Sequence, residues 1–395
     1  MKYTSLLKFT IFTTLGFYGF KYCTLPDQLC KLLFYSSILF SLLLKSKREV
    51  IRYNNSLDYP LKTLIIFFFI SILSAGIYEG QNIIWGFMTT MPYIMAYSYF
   101  FILKKQKFST QEIENIIKFF AIIYMLLMTI NLLSGDNALF GSATFDHSRN
   151  AIRYRLGGIS WLVLYQLLTL QKYIEYKKRK YLYITILCIC FIFLSLTRQT
   201  IVLSIICSLL LFFNSKGTKT IAITGLILIG TFSIILPKIP AVNTMYELTI
   251  KQKENKNDNI RLFTWAYYTS GYERNQIQHL IGCGVPAVGY SNYGNKIDKI
   301  SNETLFFIHD VGWAGFYFLF GLISSIILIY ILIKSLFIKT SQHYLYCKLF
   351  IFSRIITSFT SAPILYHYDI LIIIIVLYLI TFRGNNGCIY NYRKL

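Results

Sequence analysis

Hydrophobic and polar residues follow each other along this chain in long blocks rather than in short periods. Runs such as 63–77, 184–196 and 316–333 carry no charge, and short polar connections rich in Lys and Arg separate them. Blocks of this length predict helices that cross a bilayer, about twelve by window-scale hydropathy. They are expected near 5–20, 29–44, 61–78, 82–103, 115–134, 157–171, 181–196, 199–213, 219–236, 303–333, 345–361 and 365–381. The first has no small-residue cleavage site after it and is read as retained. The expected architecture is an all-α, polytopic membrane bundle forming a single domain over 1–395, with one large extracytoplasmic loop over 237–302.

Composition strengthens the membrane reading. Hydrophobic residues make up 55% of the chain and charged residues only 14%, whereas a soluble chain of this length needs more polar surface. The net charge of +22 would fit nucleic acid if it were clustered without regard to the apolar blocks. It is not. With the N-terminus inside, alternate connections hold Lys45, Lys47, Arg48, Arg52 and Lys62, then Lys104, Lys105 and Lys107, then Lys172 and Lys177 to Lys180, and so on to the tail. This positive-inside pattern places both termini in the cytoplasm and leaves no case for a nucleic-acid partner.

Two segments on the opposite side carry charge that topology does not require. One is 135–158, with Arg149, Arg153 and Arg155; the other is 237–302, with Arg261 and Arg274 among several lysines. Connections that long are uncommon without a function. Between two apolar runs lies Ser195-Leu196-Thr197-Arg198, and an ionisable group there is costly unless it faces protein, water or an anion. Arg198 is therefore a functional candidate. Arg354 lies roughly midway along another apolar span; it either pairs with Asp369 or Asp310 inside the bundle or lines a lipid groove.

The long outer segment has internal order. Residues 259–268 predict a short amphipathic helix with Arg261, Trp265 and Tyr268 on one face. Arg261 either snorkels at the headgroup level or turns towards a lipid-linked phosphate. His279 to Pro286 predicts a glycine-rich turn rather than a helix, and Ser301 is expected to cap a helix carrying His309, Asp310, Gly312 and Gly315. The eight cysteines show no metal-ligand spacing, although Cys23 and Cys30 share an outer loop. With no phosphate-binding glycine loop, dinucleotide fingerprint or zinc-protease motif, no cofactor and no metal are expected.

The order of these motifs resembles the O-antigen polymerase and O-antigen ligase superfamily. The match rests on Ser-Leu-Thr-Arg opening a helix, Arg261 with Trp265 in a long outer loop, Ile281-Gly282-Cys283-Gly284, and Asn302 with Leu305, Gly312 and Gly315. It runs from Arg155 to Gly321, while the N-terminal spans match in hydropathy alone. The resemblance implies an enzyme of the bacterial cytoplasmic membrane that moves sugars from a polyprenyl diphosphate carrier on the outer face. It implies a polyprenyl-diphosphate-linked oligosaccharide as substrate, the lipid bilayer as surroundings, and a flippase and a chain-length regulator as partners. Arg198 and Arg261 match family arginines, and Arg155 with Gly158 matches an Arg-x-x-Gly element. At the positions of the ligase His-Asn pair this chain has Ser301 and Asn302, a departure that points to a repeat-unit polymerase for capsule, O-antigen or exopolysaccharide. A ligase using the same donor and a lipid-linked oligosaccharide flippase are the alternatives.

The chemistry asks for what these positions offer. Charge builds on the leaving diphosphate, and arginines from separate segments can bracket it without a metal. An acceptor hydroxyl must lose its proton, and Glu303, His309 and Asp310 are the candidates for the base, in that order. Arg155, Asn302 and Trp265 are expected to bind substrate.

Overall fold

The computed structural model of the protein describes residues 3–18, 27–43, 52–135, 138–146, 151–213 and 260–383. The expected span 219–236, the first part of the long connection (237–259), the basic run Lys45 to Arg48 and Cys23 lie outside the described residues.

The described chain is helical almost throughout. In order come α1 (Tyr3–Tyr18), α2 (Asp27–Leu43), α3 (Asp58–Tyr78), α4 (Ile83–Gln106), α5 (Thr110–Ser134), α6 (Ile159–Tyr176), α7 (Arg179–Leu194) and α8 (Arg198–Phe213). They continue with α9 (Ile260–Ala266), α10 (Gln276–Ile281), α11 (Asn292–Thr304), α12 (Gly312–Phe337), α13 (Leu345–Thr357) and α14 (His367–Thr381). Short strands accompany them: β1 (Arg52–Tyr53) pairs antiparallel with β4 (Phe382–Arg383), and β2 (Ser142–Asp146) with β3 (Ala151–Arg155). Among the described residues, α3 with its preceding turn, α5 and α12 are each long and apolar enough to cross a membrane. The stretches 32–43, 198–213 and 367–381 are shorter apolar helices.

The sequence sets the ends of these helices through caps. Ser109 and Glu112 form a reciprocal capping box at the head of α5, and Asn82 accepts from the Ile84 N–H at the head of α4. Helix α14 is the centre of the bundle. Its residues from Asp369 to Thr381 are all buried, as expected of a helix that is hydrophobic all round. The outer helices bury one side only. On α12, Leu322, Ile326, Ile329, Ile333 and Phe337 are exposed along one face, and α3 exposes Ile66, Phe69, Leu73 and Ile77. Apolar faces this extensive suit contact with lipid.

The bundle has two chemically different ends. At the basic end, Lys104 meets Asp58 at 2.7 Å. His343 bridges Glu114 (3.0 Å) and Glu175 (2.9 Å), joining the head of α5 to the tail of α6. Burial opposes protonation of His343, but its hydrogen bonds to Glu114 and Glu175 and their charges prevail, and its pKa is pushed up to about 9. The opposite end holds the β2–β3 hairpin and the segment 260–311.

Three expectations about that segment are corrected. The helix expected over 303–333 starts at Gly312, because Leu305 adopts a left-handed conformation (φ 60°) and ends α11. Tyr268 donates its hydroxyl to the Phe306 carbonyl at 2.8 Å and so holds this reversal. Ser301 therefore lies in the last turn of α11 rather than capping a new helix; with Tyr293 and Ile297 it forms the buried face of a polar surface helix. His279 to Ile281 belong to α10, whose Asn275–Gln278 capping box ends the preceding loop, and the turn begins only at Gly282. Arg354 lies in the last turn of α13, which stops at Thr357, and not midway along a span.

Helix α12 is interrupted at Gly321 (φ 79°, ψ 177°). The segment Gly282-Cys283-Gly284 runs beside this break: Cys283 N–H donates to Phe318 O and Gly284 N–H to Leu319 O, each at 2.9 Å. A Cβ on Gly282 would stand 2.4 Å from Leu319 O, and one on Gly321 2.3 Å from Leu280 O. The glycines thus allow two backbones to touch, and the opened carbonyls of a spanning helix are satisfied by protein.

Candidate functional site

The turn after α13, residues 358–361, collects the elements that carry the sequence candidates. Gln199, next to Arg198 at the head of α8, donates to Ile356 O at 3.3 Å and accepts from the Thr360 hydroxyl at 2.6 Å. Trp265 Nε1 donates to Phe359 O at 2.8 Å, and the two rings stack. Gly312 N–H donates to Ser361 O at 3.1 Å, and a Cβ there would lie 2.3 Å from the same oxygen. The heads of α8 and α12 and the tail of α9 therefore meet at one turn. The turn that delivers Arg198 depends on Leu196, a non-glycine residue with φ 53°.

Arg261 lies one helical turn before Trp265 on α9. Its side chain is exposed and flanked by exposed Ile260, Leu262 and Phe263. Arg155 is exposed on β3. Three residues later Gly158 (φ 87°) starts α6, so the Arg-x-x-Gly spacing has a local reason: the chain must reverse from strand into helix.

Beside the turn is a cavity of about 310 Å³. His309, Tyr366, His367 and Tyr368 line it, with Tyr93 from α4 and Val285-Pro286 from the segment after the glycine turn. The His309 ring stacks on Tyr366 (5.3 Å, 19°), Tyr366 stacks on Tyr368 (5.4 Å, 10°), and Tyr93 meets His367 edge-on at 4.6 Å. His309 is accessible from the cavity, yet burial by the protein packed around it lowers its pKa, against the opposing charge of Asp310. The shift favours the neutral imidazole. Burial, Asp310 and Asp369 push the Tyr366 hydroxyl up to about 12, while Arg155 acts in the other direction and so belongs to the same electrostatic neighbourhood.

The structure thus brings His309 to the cavity, sets Asp310 and Arg155 within electrostatic reach of its Tyr366, and brings Trp265 and Gln199, the neighbour of Arg198, to the adjoining turn. Glu303 and Asn302 are elsewhere. Glu303 is exposed and faces Lys299 on its own helix at 3.8 Å, and Asn302 donates to Asp298 at 3.2 Å. The cavity residues Tyr93, Tyr366, His367 and Tyr368 were not among the sequence candidates. A signal existed: Tyr366-His367-Tyr368-Asp369 is a polar cluster at the head of an apolar helix, like His309-Asp310 ahead of α12.

Beneath the site, Arg354 is 3% exposed and donates from Nη1 to Ser160 Oγ at 2.9 Å. Asp369, 8% exposed, interacts with the same Ser160 and with the charge of Arg354. Of the two aspartates expected near it, Asp369 is the one whose charge Arg354 feels, and the two share Ser160 rather than a direct salt bridge. Among the described residues no group of histidine, cysteine, aspartate or glutamate has the arrangement of a metal site. Compared with family models and with curated proteins, the chain matches none.

Proposed function

We propose that this protein is an integral membrane glycosyltransferase of about twelve spans that polymerises polyprenyl-diphosphate-linked oligosaccharide repeat units into a cell-surface polysaccharide. In this reading the basic end is cytoplasmic, both termini are inside, and the cavity opens at the outer face. One observation carries the reading: arginines from separate elements, Arg198 on α8, Arg261 on α9 and Arg155 on β3, lie at the end of the bundle opposite the basic one; in this reading that end needs no positive charge for topology. They accompany an aromatic cavity lined by a histidine whose pKa is lowered by burial.

The chemistry follows from that placement. The acceptor hydroxyl gives its proton to His309 as its oxygen bonds to the anomeric carbon of the donor. The bond from that carbon to the diphosphate breaks, and the electron pair leaves on the diphosphate oxygen, where guanidinium groups stabilise it. His309 takes this role in place of Glu303, because only His309 lines the cavity. Aromatic faces such as Tyr93 and Tyr366 suit the apolar faces of a sugar ring.

The break in α12 favours a second reading, a lipid-linked oligosaccharide flippase, since transporters use interrupted helices. Here the opened carbonyls are filled by Cys283 and Gly284 rather than left to line a path. The chain length and membrane side of carrier-linked glycan in a strain lacking the protein separate the readings. A polymerase leaves single repeat units on the outer face. Single units stranded inside would establish the flippase, and long carrier-linked chains the ligase.

A further inference from the structure

A second cavity, of about 400 Å³, lies at the basic end, away from the site above. Asn54, Ser56, Lys334, Phe337, Ile338 and Lys339 line it, so among the described residues its ionisable groups are the two lysines. The carboxylate at the adjoining helix head, Asp58, is engaged through both oxygens by Lys104, at 2.7 and 2.8 Å. Ser56 Oγ is buried at this wall with no hydrogen-bond partner. An unpartnered hydroxyl in a cavity wall that also carries two lysines asks for an acceptor carrying negative charge.

The ligand also needs an apolar part. The exposed stripe on α12, from Leu322 through Ile326, Ile329 and Ile333 to Phe337, runs down to this cavity, and Phe337 is 80% exposed at its edge. Lys334 reaches along its helix to the Tyr330 hydroxyl at 2.7 Å, so its stem lies on the stripe while its charge is held at the polar boundary. A free phosphate would use the lysines and Ser56 and ignore the stripe.

We infer that this cavity binds the phosphate headgroup of an anionic phospholipid, with the acyl chains lying along the exposed face of α12. Lys334 and Lys339 neutralise the phosphate, Ser56 donates to one of its oxygens, and Phe337 packs against the start of the chains. The inference rests on the membrane reading and is independent of the polymerase reading. It gives the basic end a ligand in addition to its topological role.

The test is lipid retention by the purified full chain in nanodiscs of phosphatidylcholine with and without phosphatidylglycerol, followed by native mass spectrometry. Wild type should retain phosphatidylglycerol about thirtyfold over phosphatidylcholine, from two lysines near the surface. Lys334→Gln with Lys339→Gln should bring the ratio to about one, whereas Lys177→Gln with Lys178→Gln, basic residues outside the cavity, should leave it unchanged. Because Lys334 also bonds Tyr330, Lys339→Glu alone is the second variant; Lys339 is exposed, and its reversal should abolish selectivity without affecting folding. Unchanged selectivity in Lys339→Glu or in the double variant overturns the inference. So does displacement of the lipid by soluble glycerophosphate at equal phosphate concentration, which would assign the cavity to a free phosphate. Failure of wild type to enter any nanodisc would instead overturn the membrane reading itself, and this inference with it.

Discussion

Replacing Arg354 with methionine should be among the most damaging single changes in the bundle, and changing Asp369 at the same time should undo most of the damage. Both side chains are almost fully buried and face each other across Ser160. Asp369 Oδ1 has no hydrogen-bond partner among the described residues, so the charge on Arg354 and the Ser160 hydroxyl are what compensate its carboxylate. Removing one of two buried opposite charges coupled through a shared hydroxyl leaves the other uncompensated, at a cost of up to about 3–5 kcal/mol. Asp369→Asn should cost about half of that, because the guanidinium keeps Ser160 and lies over the Phe350 ring at 4.9 Å. Arg354→Met with Asp369→Leu removes both charges and should lie within about 1–2 kcal/mol of wild type. The coupling between the sites should then exceed about 2 kcal/mol. Unfolding of the detergent-solubilised protein by denaturant or heat, with all four proteins in one detergent, measures the cycle. Additive losses in the double variant, or an Arg354→Met protein as stable as wild type, would refute the account of a compensated buried pair.

Other expectations follow from the same physical arguments. Arg198→Lys and Arg261→Lys keep the charge but lose the planar fork, so polymer length should fall about tenfold or more at matched protein levels; full-length polymer from both would remove the diphosphate role. Since the pKa of His309 is lowered, its basic form is present at pH 7 and is lost as pH falls below the ordinary imidazole range; the acid limb of a pH–rate profile should disappear in His309→Ala together with most activity, while Glu303→Gln should retain activity. For His343 the folded pKa of about 9 lies above the unfolded value, so its contribution to stability is complete below about pH 6.5 and is lost as pH rises through 9. Melting of His343→Gln should differ most from wild type near pH 6 and converge with it by about pH 10. Gly282→Ala meets both a positive φ and a backbone oxygen at 2.4 Å and should cost about 2 kcal/mol or more, whereas Gly289→Ala, with positive φ but open space around it, should cost about half as much in the same melts.

Much of the helical layout was readable from the chain because long uncharged runs constrain it strongly: the ranges expected near 61–78, 82–103, 181–196 and 199–213 differ from α3, α4, α7 and α8 by a few residues. Expectation and structure part where tertiary contact overrides pattern. Leu305 is an ordinary helix-forming leucine, and its left-handed conformation is fixed by Tyr268 bonding to Phe306, a contact that residue spacing does not encode. The span expected near 365–381 is found as α14, but its place at the buried centre was not readable, because periodicity cannot tell lipid from protein when every face is apolar. At the site, the arginines were visible as misplaced charge. The aromatic wall was not, since tyrosines are abundant in this chain and only the fold shows which of them face His309.

The contact between Gly282-Cys283-Gly284 and the interrupted α12 bears on how the molecule can be divided. Ser74 of α3 donates to Gly282 O, Gln81 donates to Val285 O and accepts from the Ala287 N–H, and Cys283 and Gly284 complete the backbone of α12. The outer segment is therefore a seam and not a detachable insert. Chimeras made to exchange substrate preference have their natural cut points outside α3 and outside the first half of α12, so that 276–296 travels with both. A swap of the loop alone would carry over its glycines without the carbonyls they were shaped to meet.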